Sequence, residues 1–382
     1  MLKPNETALL PEGLHDTLVG DAIQENKVID NLLSTFIANG YDLISPPLVE
    51  FEESLLLGPG KAQSRNMFRL MDPASQRMMG VRTDMTGQVA RIAQSRLGKS
   101  PRPLRLSYAG DVLRVKGTQL RPERQFKQAG VELIGSETTQ AYVEIILLAH
   151  STLKKVGVKK LSVDLTLPLL VPTICQGLGL SDSLSNSVRH ALNTKDIGEL
   201  NNIDGAIGDI SRAILTGAGP ADKCLSILSG LDLPKAAQTM CDELTDLVSR
   251  LKEMSADLLI TIDPGEYTGF EYQTGISFCL FAGGVRGELG RGGRYLVNAE
   301  LSGGEPATGF SLYLDSLMRA LGDYDQQERV FVGLGTERSE IEKLHDQGYR
   351  TVQGLTHVSD IKSEAKRMEC ENIWSDGQIK KV

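Results

Sequence analysis

The stretch LRLSYAGDVLRV (104–115), KGTQLRPE (116–123) and RQFKQAGVELIG (124–135) decides how this chain is read. Leu104, Leu106, Tyr108 and Val112 recur at even spacing, and so do Arg124, Phe126, Gln128 and Glu132. Period two marks strands, so the two outer segments predict an antiparallel pair joined by a polar loop. The same period puts Gln128 and Glu132 on one face and keeps Arg114 in phase with Tyr108 and Val112. Just upstream, VRTDMTGQVAR (81–91) gives Arg82, Asp84 and Thr86 a shared parity. Polar groups therefore point from faces that otherwise read as buried. Buried charge must be paired, or it must wait for a ligand. A small zwitterion would suit: carboxylates for its ammonium and ring N–H groups, the arginine for its carboxylate. On periodicity alone, an ordinary hairpin with solvated charges fits the same pattern.

The rest of the composition narrows the class. The chain has 382 residues, 41% hydrophobic and 24% charged, which is globular and long enough for two domains or one large one. A net charge of −8 gives no bulk footprint for nucleic acid. Cys175, Cys224, Cys241, Cys279 and Cys370 are widely spaced, odd in number and free of any C-x-x-C pair. Neither a metal site nor a disulfide framework is expected, and no cofactor motif stands out. The opening MLKPNETALLPEG lacks the apolar run of a signal peptide, and no stretch approaches a membrane span. A reducing cytoplasm is the expected compartment.

LPEGLHD (10–16) reads as a turn. Ile23, Val28, Ile29, Leu32, Leu33, Phe36 and Ile37 predict an amphipathic helix over 21–39, closed by Gly40. YDLISPPLVE (41–50) reads as a strand broken by Pro46 and Pro47, hence at an edge, where a second subunit can pack. A helix is expected over 83–96, a long one over 138–156 and a strand over 158–165. Four helical runs (181–193, 204–215, 221–229, 234–254) predict a helical insertion at about 168–256, with GAGP (217–220) as a plain linker. Strand character returns at 257–262 and 269–281. GGVRGELGRGGRY (283–295) is glycine-dense, and its Arg291 and Arg294 read equally as site residues or solvated charges. GGEPATGFSLYLDSLMR (303–319) predicts a turn, a strand and a helix. A core over 1–325 and a small β-α-β-like tail over 326–382 follow.

This order resembles the class II aminoacyl-tRNA synthetase core, and histidyl-tRNA synthetase in particular. LPEGLHD resembles that family's N-terminal segment, and SPPLVE resembles motif 1, the dimer strand. DVLRV through RQFKQAGVELIG resembles motif 2, with Arg114 at its arginine. GFEYQTGISF resembles the histidine-specific loop, and GRGGRY with PATGFSLYLDSL resembles the run into motif 3. The resemblance covers about residues 8–322. It implies an α/β (α+β) fold: a class II synthetase-like antiparallel sheet flanked by helices, with a helical insertion and a short C-terminal α/β segment.

The departures point away from aminoacylation. Where the family has an activating arginine the chain has Thr268; where motif 3 has an ATP-holding arginine it has Ser316; and Lys116 replaces an acidic residue. The tail reads as too short for an anticodon-binding domain. The chain is more similar to the ATP phosphoribosyltransferase regulatory subunits, a synthetase-like family that has lost aminoacylation. That resemblance implies a non-catalytic protein that activates a short catalytic subunit and confers feedback inhibition by histidine on the first step of histidine biosynthesis. It implies a homodimeric core within a hetero-oligomer, a hetero-octamer by family pattern. Histidine-contacting positions would be Asp84, Thr86, Arg114, Gln128, Glu132, Tyr272 and Tyr295. Tyr272-Gln273 stands where relatives have two tyrosines. A divergent ATP-dependent histidine-activating enzyme is the alternative, and a histidine-binding module for another partner is a third.

Overall fold

A computed structural model of the protein describes residues 9–119, 121–267, 269–270, 272–297, 304–322 and 327–382. The chain divides into two compact units, Met1–Gly322 and Asp323–Val382. In the first unit the strands are β1 (Asp42–Leu43), β2 (Val49–Phe51), β3 (Arg69–Met71), β4 (Met78–Val81), β5 (Leu104–Leu113), β6 (Gln125–Ile134), β7 (Leu161–Thr166), β8 (Gly219–Pro220), β9 (Leu259–Ile262), β10 (Gln273–Ala282), β11 (Gly290–Val297) and β12 (Glu305–Tyr313). Nine of them form one sheet in the order β1-β5-β6-β12-β11-β10-β7-β9-β8, and β2-β4-β3 form a smaller one. This is the antiparallel-centred, helix-flanked sheet that the resemblance implies.

Period two explains the sheet's two faces. Leu106 pairs with Glu132, Tyr108 with Gly130 and Val112 with Phe126, so these residues share a face. The opposite parity, Val131 and Leu133, joins the main core with Leu32, Phe36 and Ile146 from the helices Asp21–Ala38 and Thr139–Lys155. Phe36 is fully buried and meets Phe310 of β12 edge-on, with ring centroids 5.8 Å apart. Truncating such a ring to alanine costs about 3–5 kcal/mol. The even-parity face carries a second cluster with Met85, Val89, Tyr108, Phe126 and Tyr295, and its polar members build the site.

Three expectations need correction. The proline-bearing segment is two strands: β1 runs parallel to β5, and β2 leaves for the smaller sheet. Pro46 and Pro47 lie between them, and their carbonyls accept from Arg82 Nη1 (2.8 Å) and Gln88 Nε2 (2.7 Å). The shared parity of Arg82, Asp84 and Thr86 is not that of a strand. β4 ends at Val81, and the helix starts only at Thr86, whose N–H donates to Asp84 Oδ1 at 2.8 Å. The linker 217–220 is not plain either, since Gly219–Pro220 pairs with β9 at the sheet's margin.

The insertion is helical as expected, with two further short helices, Leu170–Gly177 and Ile197–Asn201. Ser181 and Asp196 cap two of its helices through their side chains. In the second unit, β13 (Arg329–Val332), β14 (Arg350–Gln353), β15 (Asn372–Ser375) and β16 (Gln378–Lys381) form a sheet in the order β14-β13-β15-β16. The helices are Arg338–Asp346 and Ile361–Arg367. The last helix and two strands go beyond a β-α-β tail. Among the described residues, no helix is long and apolar enough to cross a membrane.

Candidate functional site

Register places polar side chains in rows across the even-parity face. One row runs Thr261, Asp164, Cys279, Arg291, Ser311, Gly130, Tyr108 over seven strands. The next runs Thr166, Ser277, Gly293, Gly309, Glu132. Two glycines in register leave room above the sheet. A Cβ at Gly309 would lie 1.9 Å from Glu132 Oε2, so the carboxyl needs the glycine beneath it. At Gly293, where φ is +152°, a Cβ would lie 2.1 Å from Gln273 Oε1.

A cavity of about 750 Å³ opens over these rows, and Asp84, Arg114, Tyr272, Arg291, Ser311 and Ser316 are among its lining residues. Asp84 Oδ2 accepts from Gln128 Nε2 at 2.9 Å, and Gln128 Nε2 also donates to Ser311 Oγ at 2.6 Å. The Met85 N–H donates to Gln128 Oε1 at 3.0 Å. Arg114 lies 5.0 Å over the Phe126 ring and makes a long hydrogen bond, 3.4 Å, to the Thr83 carbonyl. Among the described residues, neither Asp84 nor Arg114 is in an ion pair.

Glu132 lies behind the cavity wall and is 1% exposed. Its oxygens accept from Tyr108 Oη (3.3 Å) and Tyr295 Oη (3.0 Å). Burial pushes its carboxyl up to about 8; the Tyr295 hydrogen bond opposes this and the charge of Asp84 adds to it. Tyr295 is fully buried and meets Tyr272 edge-on at 5.9 Å. Tyr272 lines the cavity, and burial raises its phenol far above the usual range. Thr86 is buried with Oγ1 3.5 Å from Tyr108 Oη.

The fold thus brings the seven sequence-chosen positions into one neighbourhood: Asp84, Arg114 and Tyr272 on the wall, Gln128, Glu132, Tyr295 and Thr86 bonded behind it. Thr268 lies outside the described residues. Ser316 faces the cavity, and its Oγ accepts from Arg319 Nη2 at 3.0 Å. Lys116 is exposed on the loop. Arg291 is no solvated charge: it pairs with Glu288 at 2.7 Å and donates to the Gly269 carbonyl at 3.0 Å. Arg294 points to the other face, 4.0 Å over Tyr142 and 3.2 Å from Glu243. Sequence reasoning missed Ser311, Arg121, Glu288 and Tyr313. A signal for two of them existed: 307, 309, 311 and 313 share a parity, and small or polar residues interrupt it at Gly309 and Ser311.

Comparison with known proteins follows the same lines. Residues 13–317 match the family model described as histidyl-tRNA synthetase. The fold is that of a histidyl-tRNA synthetase-like protein of the class II architecture. The chain is 50% identical over 375 residues to the ATP phosphoribosyltransferase regulatory subunit of Rhodospirillum centenum, covering 98% of this chain and 96% of that one. A crystal structure from Bacillus halodurans, described as an ATP phosphoribosyltransferase regulatory subunit/histidyl-tRNA synthetase, superposes with a TM-score of 0.82 at 26% identity. It covers 96% of this chain and 97% of that one. A chain of the ATP phosphoribosyl transferase (HisG:HisZ) complex from Thermotoga maritima shares the fold at 17% identity and a TM-score of 0.59, over 76% of this chain and 97% of that one. The protein belongs to the ATP phosphoribosyltransferase regulatory subunit family.

Proposed function

We propose that this chain is the non-catalytic regulatory subunit of an ATP phosphoribosyltransferase and that its cavity binds histidine as the feedback effector. One observation supports the ligand more than any other: the wall presents a carboxylate and a guanidinium, Asp84 and Arg114, that no ion pair satisfies among the described residues. An amino acid brings the complementary pair of charges. Arg114 takes the carboxylate, Asp84 with Gln128 takes the ammonium, and Glu132 with Tyr295 and Tyr272 forms the end that reads the ring. The alternative enzyme reading gains nothing here, because Arg121 and Arg291 are already neutralised by Asp315 and Glu288.

The partner is a short catalytic subunit in a hetero-oligomer, a hetero-octamer on the family pattern, in the cytoplasm. The homodimeric core forms through the proline-bearing segment, where Leu43 and Leu48 are exposed beside Ile37 of the first helix. The test is co-purification with a short-form catalytic subunit, followed by titration of histidine into the complex. Co-elution with saturable inhibition supports the reading. Absence of co-elution defeats the regulatory assignment, and co-elution without inhibition defeats the effector assignment.

A further inference from the structure

One consistent direction of hydrogen bonding behind the cavity runs toward Glu132. Gln128 Oε1 accepts from the Met85 N–H, so Gln128 Nε2 is the donor on its other side. One of its hydrogens goes to Asp84 Oδ2 and the other to Ser311 Oγ. In this direction the Ser311 hydroxyl, which accepts from Gln128, gives its own hydrogen to Tyr108 Oη, 2.9 Å away. Tyr108 then spends its hydrogen on Glu132 Oε1 at 3.3 Å. The chain Gln128 to Ser311 to Tyr108 to Glu132 therefore points every donor toward the carboxyl, and it begins at the group that touches Asp84.

We propose that Ser311 is the positioning residue of this site, linking what happens at Asp84 on the cavity wall to the protonation of Glu132 behind it. This rests on the cavity being the effector site. Ser311 is 6% exposed, lines the cavity and holds both halves of the chain with one hydroxyl. The groups facing Glu132 are Tyr108 from β5, Tyr295 from β11, Tyr272 just before β10 and Asp84 from the segment before the helix Thr86–Ser95, with the Thr86 hydroxyl nearby. None of them is a cation, and burial displaces the carboxyl up to about 8 against the hydrogen bonds from Tyr295, Thr86 and Tyr108, which favours its neutral form below that value. An ammonium at Asp84 and a ring N–H or cation beside Glu132 favour the ionised form. Binding then releases a proton to solvent, with no other bond made or broken.

The experiment has one arm without ligand and one with it. In the free full-length protein, the infrared carbonyl band of protonated Glu132 is identified by its loss in Glu132→Gln and followed with pH. Tyr108→Phe removes the last donor, and its titration should move up by about one pH unit. Ser311→Ala should move it in the same direction by less, and Ser311→Thr, which keeps the hydroxyl, should restore it. Tyr108→Phe keeps the contact of Ser311 with Gln128, so it tests the chain even where Ser311→Ala does not fold. A titration unmoved in Tyr108→Phe, or equally displaced in Ser311→Thr and Ser311→Ala, overturns the proposal. In the ligand arm, histidine is titrated calorimetrically in two buffers of different ionisation enthalpy. Net proton release near pH 7, lost in Glu132→Gln, is expected; binding with no proton release overturns the link. If histidine does not bind the wild-type complex at all, the effector reading fails, while the infrared arm still decides whether the chain exists.

Discussion

The Arg121 guanidinium lies 3.7 Å over the ring of Tyr313, at the cavity's margin. It also lies 5.2 Å from the Phe126 ring and 3.1 Å from Asp315. One arginine therefore fills an aromatic corner and spends its charge inside the protein. Arg291 does likewise with Glu288. A phosphoryl-transfer transition state needs cations held ready for the developing charge. The purified chain should form no histidyl-adenylate. Histidine-dependent exchange of pyrophosphate into ATP, above background, would refute this.

Glu132→Gln should blunt feedback. Cutting one partner of a charge-assisted hydrogen bond costs about 1.5–3 kcal/mol, which is roughly a 10- to 100-fold loss of affinity. The histidine concentration for half inhibition should rise by that factor, and the variant should still co-elute with its catalytic partner. Direct binding must weaken in parallel, because coupling between sites is reciprocal. An unchanged inhibition curve in an assembled variant complex moves the effector site elsewhere.

Arg114→Ala tests the other end of the ligand. If Arg114 holds the carboxylate, histidine binding should fall by about one to two orders of magnitude. Histidinol, which has an alcohol in place of the carboxylate, should bind the wild type weakly and lose little more in the variant. Equal losses for both ligands, measured by calorimetry, would show that Arg114 supports the wall and does not read the carboxylate.

Stability should fall as pH rises through the Glu132 range. Its carboxyl titrates near 4.5 in an unfolded chain and is pushed up to about 8 by burial in the fold. The folded state therefore holds the extra proton between those values, and unfolding free energy decreases across that window. That contribution is complete below the unfolded value and gone above the folded one. Glu132→Gln removes this dependence, so its thermal midpoint should decline less than that of the wild type between about pH 5 and pH 9. Parallel declines would mean that Glu132 is ionised in the empty fold.

Much of this was legible because strands write their faces in period two. Gln128 and Glu132 could be placed on one face from spacing alone, and register confirms that face. Asp84 was found by a false route. Its parity with Arg82 and Thr86 suggested a strand, whereas its position comes from accepting the Thr86 N–H at a helix start. Ser311 was missed and Arg291 stayed open between two readings, because a serine inside an apolar strand and an arginine among glycines look alike whether buried or solvated. Only the cross-strand pairing of Arg291 with Ser311 puts both under the cavity. The last helix and strands of the second unit were too short to show a period. NIWS and QIKK become strands through their pairing with β13 and with each other.

Gly219–Pro220 is a two-residue strand at the far margin of the nine-stranded sheet. Proline has no N–H to offer, and two residues are too few to guide another strand into register. That margin is a dead end for sheet growth. The opposite margin, β1, is a two-residue strand as well, so neither side of the broad sheet offers a long edge. The helical insertion thus has a hygienic use unconnected with histidine: it contributes one of the two stoppers that keep so wide a sheet from joining its neighbours end to end.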